Sequence, residues 1–313
     1  MMEDDWRVAK TDAERDVMIQ RARIGQTFAK FCFTAAALLT FTIIFLQKLG
    51  IPLRHTTKET KMFVFSTYYI IDVSGSPYYE IIYVLQIISV FAIVYAYLGV
   101  DIFFGMLVLH ISAQLENLQT RLADIKASNR FERVLKDIVM HHTRLIRAVN
   151  VIENTYTLLL FMLLLYFGAF NCFSITQIIG IITAKGDYPI SVLYFQAGCY
   201  INTVAQTSLY CIAGQLLATQ SEGVYEAAYN CEWLKLKPKD ARNLILIMIR
   251  SKKPLYVTAG KLFPMTMLTF CNVRCNFSCY RIFLKYLITI SRSVSFQVLK
   301  ISFSYMSLLL RKL

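Results

Sequence analysis

Long uncharged runs alternate with charged stretches along this chain, and the period of that alternation is the length of a membrane span. The first apolar run, Thr27 to Gln47, holds Lys30 as its one charge. The second, Ile81 to His110, is interrupted by Asp101. The third, Thr155 to Ala184, and the fourth, Ile190 to Ala218, carry no charge, and a fifth begins at Leu262. About 20 apolar residues are needed to cross a ~30 Å hydrocarbon core. Backbone groups in lipid must satisfy one another, so each run predicts a helix. The ten-residue alternation of a transmembrane barrel is absent from the sequence. The first run starts too far from Met1, and lacks the small-residue cleavage site, to be a secretory signal.

Between the runs, helical spacing continues. Leu115, Leu118 and Leu122, then Val134, Ile138, Leu145 and Val149, predict that the second and third helices extend beyond the bilayer and pack together. Glu132 and Lys136 stand at an i,i+4 spacing. Residues 240–250 predict a short amphipathic helix with Asp240 as N-cap, too short to span.

Composition agrees. Hydrophobic residues make up 56% of the 313, charged residues 17%, and mean hydropathy is +0.49. The net charge of +13 is concentrated in alternate connections: before Thr27, between Ile111 and Asn154, and between Thr219 and Lys261. Positive-inside bias puts these in the cytoplasm and 51–80 outside. With the basic residues flanking spans rather than forming a soluble basic domain, nucleic-acid binding is excluded. The eight cysteines are scattered, and no disulfide framework, metal-ligand spacing or catalytic motif emerges. His141 and His142 are adjacent and point to different helix faces, which argues against a shared metal. Asp101 inside a span is either a functional group or a residue turned to the bundle interior. Tyr68, Tyr69, Tyr78, Tyr79 and Tyr83 crowd the loop 51–80 and its exit, as an interfacial aromatic belt or as a wall over an apolar pocket.

Residues 210–266, YCIAGQLLATQSEGVYEAAYNCEWLKLKPKDARNLILIMIRSKKPLYVTAGKLFPMT, resemble the third intracellular loop and flanking helices of insect odorant receptors. Residues 1–25 resemble that family's approach to its third span, 67–86 and 97–122 its second extracellular loop and fourth span, and 297–313 the end of its seventh. The resemblance implies an all-α multi-pass bundle with about five of seven spans present. Residues 1–26 would precede span 3, 27–218 hold spans 3 to 6, 219–261 form a cytoplasmic loop with a subunit-contact helix, and 262–313 hold span 7. Spans 1 and 2 are then expected to be missing. Residues 272–296, with Arg274, Arg281, Lys285 and Arg292, would interrupt span 7; mid-span charges favour translated intron sequence over a genuine inserted helix.

The resemblance further implies a ligand-gated cation channel assembled with a shared odorant co-receptor, opened by a small volatile apolar ligand, with membrane lipids around it and neither cofactor nor metal. Depth and facing then select Ala36, Leu39, Thr40, Ile82, Leu85, Gln86, Ser89, Tyr194, Gly198 and Asn202 as pocket residues, with Tyr68 and Tyr69 from the loop above. Tyr305, Leu308 and Leu309 are the expected pore lining. A gustatory-type receptor and a non-functional fragment remain the alternatives.

Overall fold

The computed structural model describes residues 5–6, 11–48, 63, 75, 77–125, 131–183, 190–231, 233 and 236–272. Among these residues the long helices, in chain order, are α1 Asp12–Lys48, α2 Tyr78–Ala123, α3 Phe131–Thr183, α4 Ile190–Asn230 and α5 Pro238–Ser251. A two-stranded antiparallel hairpin closes the described chain, β1 Thr258–Ala259 and β2 Phe263–Pro264, with Thr258 opposite Pro264 and Ala259 opposite Phe263. A helical turn at 267–272 comes after it.

The 46 residues of α2 and 53 of α3 give helices of roughly 70–80 Å at 1.5 Å per residue. That is more than twice a hydrocarbon core, so each continues as one unbroken helix into the basic end of the molecule. Among the described residues, three helices are long and apolar enough to cross a membrane: α1 over Asp12–Leu46, α2, and α3 over Phe131–Ile182. α4 is comparably long but carries Gln196, Asn202, Gln206 and Gln215, and its composition leaves it out of that group although no charge interrupts it before Glu222.

The core sits at the basic end. Leu115, Leu118 and Leu122 are fully buried, as their spacing predicts, and pack with Ile138, Leu145 and Val149 of α3 and Leu217, Val224 and Ala228 of α4. Val134 is the exception: it is exposed, and its neighbour Leu135 enters the core instead. At the far end the helices bury little. Only 6% of the most apolar stretch of α1 or of α2 is covered by the chain itself, against 28% for α3. Such faces belong against lipid or protein rather than water.

Four local expectations change. α4 does not stop near Ala218; Ser221, Val224 and Ala228 keep one face buried and carry the helix to Asn230, so the predicted loop from Thr219 begins as helix. Gly223 lets α2 approach there, since a Cβ on it would come within 2.6 Å of Gln119. The α5 N-cap is Lys237 (φ −62°, ψ 146°) followed by Pro238, and Asp240 lies inside the first turn, where its charge still favours the helix dipole. Leu262 does not start a helix. Pro264 has no N–H to give a helix interior, and the chain forms the hairpin before turning helical at 267. Finally, Glu132 accepts from Lys239 of α5 at 2.7 Å, the pairing that forms in place of the expected Lys136.

Candidate functional site

Helix pairing fixes the heights. The Phe104 ring of α2 meets Tyr156 of α3 at a tilt, with centroids 4.9 Å apart, and Tyr210 of α4 likewise at 5.8 Å. Phe33 of α1 stacks on Tyr95 of α2 at 5.7 Å. Following these pairings toward the far end brings Thr40, Gln86 and Ser174 to one height. All three are buried: Thr40 and Gln86 are 8% exposed and Ser174 0%. They form a polar layer inside apolar helices. Ser174 Oγ, Asn171 Oδ1 and Tyr83 OH are buried atoms without a hydrogen-bond partner among the described residues. Asn171 and Ser174 share one α3 face by their i,i+3 spacing. Unpaired buried polar atoms are costly, which makes this layer a natural place for a ligand's polar group.

The expected pocket residues divide. Thr40 and Gln86 turn inward, and Ala36 and Ile82 are half-buried. Leu39, Leu85, Ser89, Tyr194, Gly198 and Asn202 face outward; Tyr194 is 71% exposed, and the Ser89 hydroxyl donates to its own helix at Leu85 O, 2.8 Å away. Tyr68 and Tyr69, and Tyr305, Leu308 and Leu309, lie outside the described residues. Asn171 and Ser174 were not singled out from sequence. Their signal was two polar residues one turn apart in an uncharged run. A groove of about 860 Å³ elsewhere runs along α1, lined by Asp16, Gln20, Arg23, Ile24, Phe28 and Phe31 among others, and includes none of the expected pocket residues.

Asp101 has a partner. Tyr210, 7% exposed, donates its hydroxyl to Asp101 Oδ1, joining α2 to α4 within the bundle. This is the interior placement foreseen as one alternative for the residue.

The basic end is tied by charge-assisted bonds. Arg121 of α2 grips Glu14 of α1 through Nε and Nη2, at 2.6 and 2.7 Å. Arg21 meets Glu116 at 2.8 Å. Asp5 accepts from Arg144 at 2.9 Å and pairs with His110 at 3.0 Å. Beside them His141 has its Nδ1 buried without a partner. Burial first, then the Arg121 and Arg144 charges, hold its pKa down to about 4, with Asp5 and Glu14 opposing. His142 is buried on another face and is also shifted down, by burial and then Arg250. Among the described residues no group of His, Cys, Asp and Glu is placed to hold a metal ion.

Residues 1–276 match the family model described as 7tm odorant receptor. The chain is similar to odorant receptor 10 of Aedes albopictus, 26% identical over 204 residues, covering 63% of this chain and 52% of that protein. It is similar to odorant receptor Or2 of Anopheles gambiae, 25% identical over 211 residues, covering 63% and 53%. It also resembles the odorant receptor coreceptor of Anopheles gambiae, 29% identical over 143 residues, covering 44% and 28%. The chain spans about half the length of the first two relatives. Among solved structures it resembles the insect olfactory receptor OR5 from Machilis hrabei in complex with eugenol, with TM-score 0.65 and 16% identity over 87% of this chain and 70% of that one. That likeness shows the fold, a multi-pass helical membrane protein.

Proposed function

The chain belongs to the 7tm odorant receptor family, and from that premise we propose that it is an odorant-specific subunit that binds a small volatile and opens a cation channel formed with a shared co-receptor. The observation that carries this reading is the polar layer at Thr40, Gln86 and Ser174, with unpaired Tyr83, Asn171 and Ser174 atoms, set among apolar helices. Ligand sites have this composition: mostly apolar, with a few polar groups that orient the guest. A small molecule carrying one hydroxyl, carbonyl or ether fits such a layer. Eugenol, bound by the related structure, carries such groups.

Binding opens the channel only to the extent that the ligand prefers the open state. In this reading the pore is assigned to Tyr305, Leu308 and Leu309, which lie outside the described residues, since a ring of apolar side chains can gate by dewetting. The basic end faces the cytoplasm by the positive-inside bias. α5 leaves Ile245, Leu246 and Ile249 exposed, a surface suited to a neighbouring subunit. The working membrane is that of the olfactory sensory dendrite. No enzymatic role is proposed.

The test is co-expression with an insect odorant co-receptor in oocytes, with a panel of volatile alcohols, esters, ketones and phenols. An evoked cation current that Ser174→Leu or Gln86→Leu weakens at unchanged surface level supports the reading. A chain at the surface that passes no current to any of them contradicts it.

A further inference from the structure

Between α5 and the helical turn at 267–272 the hairpin is seated on two helices at once. On the α4 side, Leu255 N–H donates to Ser221 Oγ at 3.0 Å. The Met265 backbone lies so close to Gly214 that a Cβ there would come within 2.0 Å of its carbonyl oxygen. On the α3 side, Thr258 Oγ1 donates to Glu153 Oε1 at 2.9 Å. Gly260 N–H reaches the Thr157 carbonyl at 2.9 Å, and Lys261 N–H reaches the Thr157 hydroxyl at 3.1 Å. Val257 and Ala259 are fully buried between these contacts. Both central residues of the 259–262 turn have positive φ, 62° at Gly260 and 59° at Lys261. For Lys261 that conformation is strained, and the bond to Thr157 holds it. Downstream, Thr269 Oγ1 donates to Pro264 O at 2.6 Å and fixes the 267–272 turn to the hairpin.

We propose that this hairpin is a joint that senses the spacing of α3 and α4 and sets the direction of the chain beyond it. Two of its five seats, Met265 against Gly214 and Gly260 N–H on the Thr157 carbonyl, are backbone on backbone, and at those two points no side-chain rotamer can absorb a shift of one helix against the other. Movement of α3 is passed to Thr157, to the Gly260–Lys261 turn, and through Pro264 and Thr269 into the next segment. Thr157, Thr258, Ser221 and Gly260 are therefore positioning residues. The proposal rests on the receptor reading above, because it needs a ligand that moves the helices and a channel that answers.

The experiment uses the full chain with its co-receptor, and for the variants whichever of eugenol, an aliphatic alcohol, an ester or a ketone evokes the largest wild-type current. Thr157→Val and Thr258→Val each remove one side-chain tether at near-constant volume. Their half-maximal ligand concentration for current is expected to rise tenfold or more. The ligand-induced rise in thermal midpoint of the purified chain, which reads binding, is expected to stay at the wild-type value. Lys261→Gly keeps every tether and only relaxes the turn. It is expected to reach the surface at wild-type level and to shift current in the same direction by a smaller factor, which keeps the test open should the tether variants not mature. Current and binding moving together, or neither moving, overturns the joint while leaving the receptor reading intact. A surface-expressed wild type that neither binds nor conducts overturns the receptor reading and the joint with it.

Discussion

His141 sits half-buried between Arg121 and Arg144, with Asp5 and Glu14 opposing them, and the depressed pKa that results fixes the sign of its pH effect. Its folded pKa lies near 4, below the unfolded value of 6.5. The neutral ring is the form the fold accepts, so stability is full above about pH 6.5 and is lost as pH falls from there toward 4. His141→Gln is expected to flatten the fall in thermal midpoint between pH 7 and pH 4.5; an unchanged fall would show that His141 does not carry it. A second residue stores strain. Lys261 holds φ 59°, and glycine accepts that conformation without the ~1 kcal/mol penalty of a side chain. Lys261→Gly is expected to raise stability by up to about that amount, less the extra chain freedom glycine gains when unfolded. Thermal denaturation of the purified chain measures it.

At the scale of elements, two close approaches decide whether the helices assemble. Gly214 faces backbone of Met265, which has no flexible end to move aside, whereas Gly223 faces only the Gln119 amide. Gly214→Ala is expected to cost more than Gly223→Ala, in the range of roughly 1–3 kcal/mol typical of overpacking. Surface expression of the two variants should rank them in that order. The Asp101–Tyr210 bond is the other element-level link. Tyr210→Phe leaves a carboxylate inside the bundle without its donor, and is expected to destabilise; Asp101→Leu in that background is expected to recover much of the loss. Thermal midpoints of the single and double variants give the comparison.

The same elements show what the sequence could reveal. Leu115, Leu118 and Leu122 lay at helical spacing, and their burial follows from that alone. The end of α4 was hidden because Gly223 and the polar residues around it look like a loop, while Ser221, Val224 and Ala228 hold the helix through packing with distant parts of the chain. The hairpin was hidden for a related reason: its contacts to Glu153 and Thr157 join positions more than 100 residues apart. Facing was the least legible. An apolar side chain suits the lipid side and the bundle side alike, so hydropathy could not show that Leu85 faces outward, whereas Gln86 and Ser174 stand out as polar and the structure shows them turned inward.

For the molecule as a whole, the basic end is tightly packed and the far end loosely covered; under the proposed function the first holds the helices together and the second supplies polar anchors for a guest. That division is the central claim, and whole-cell current from the chain with its co-receptor tests it most directly. Ser174→Leu at the far end is expected to shift the half-maximal odorant concentration at least tenfold with surface level unchanged. Thr143→Ala, on an exposed face of α3 at the basic end, is expected to leave it alone. Equal sensitivity to the two, or a surface-expressed pair that stays silent across the volatile panel, would contradict the account.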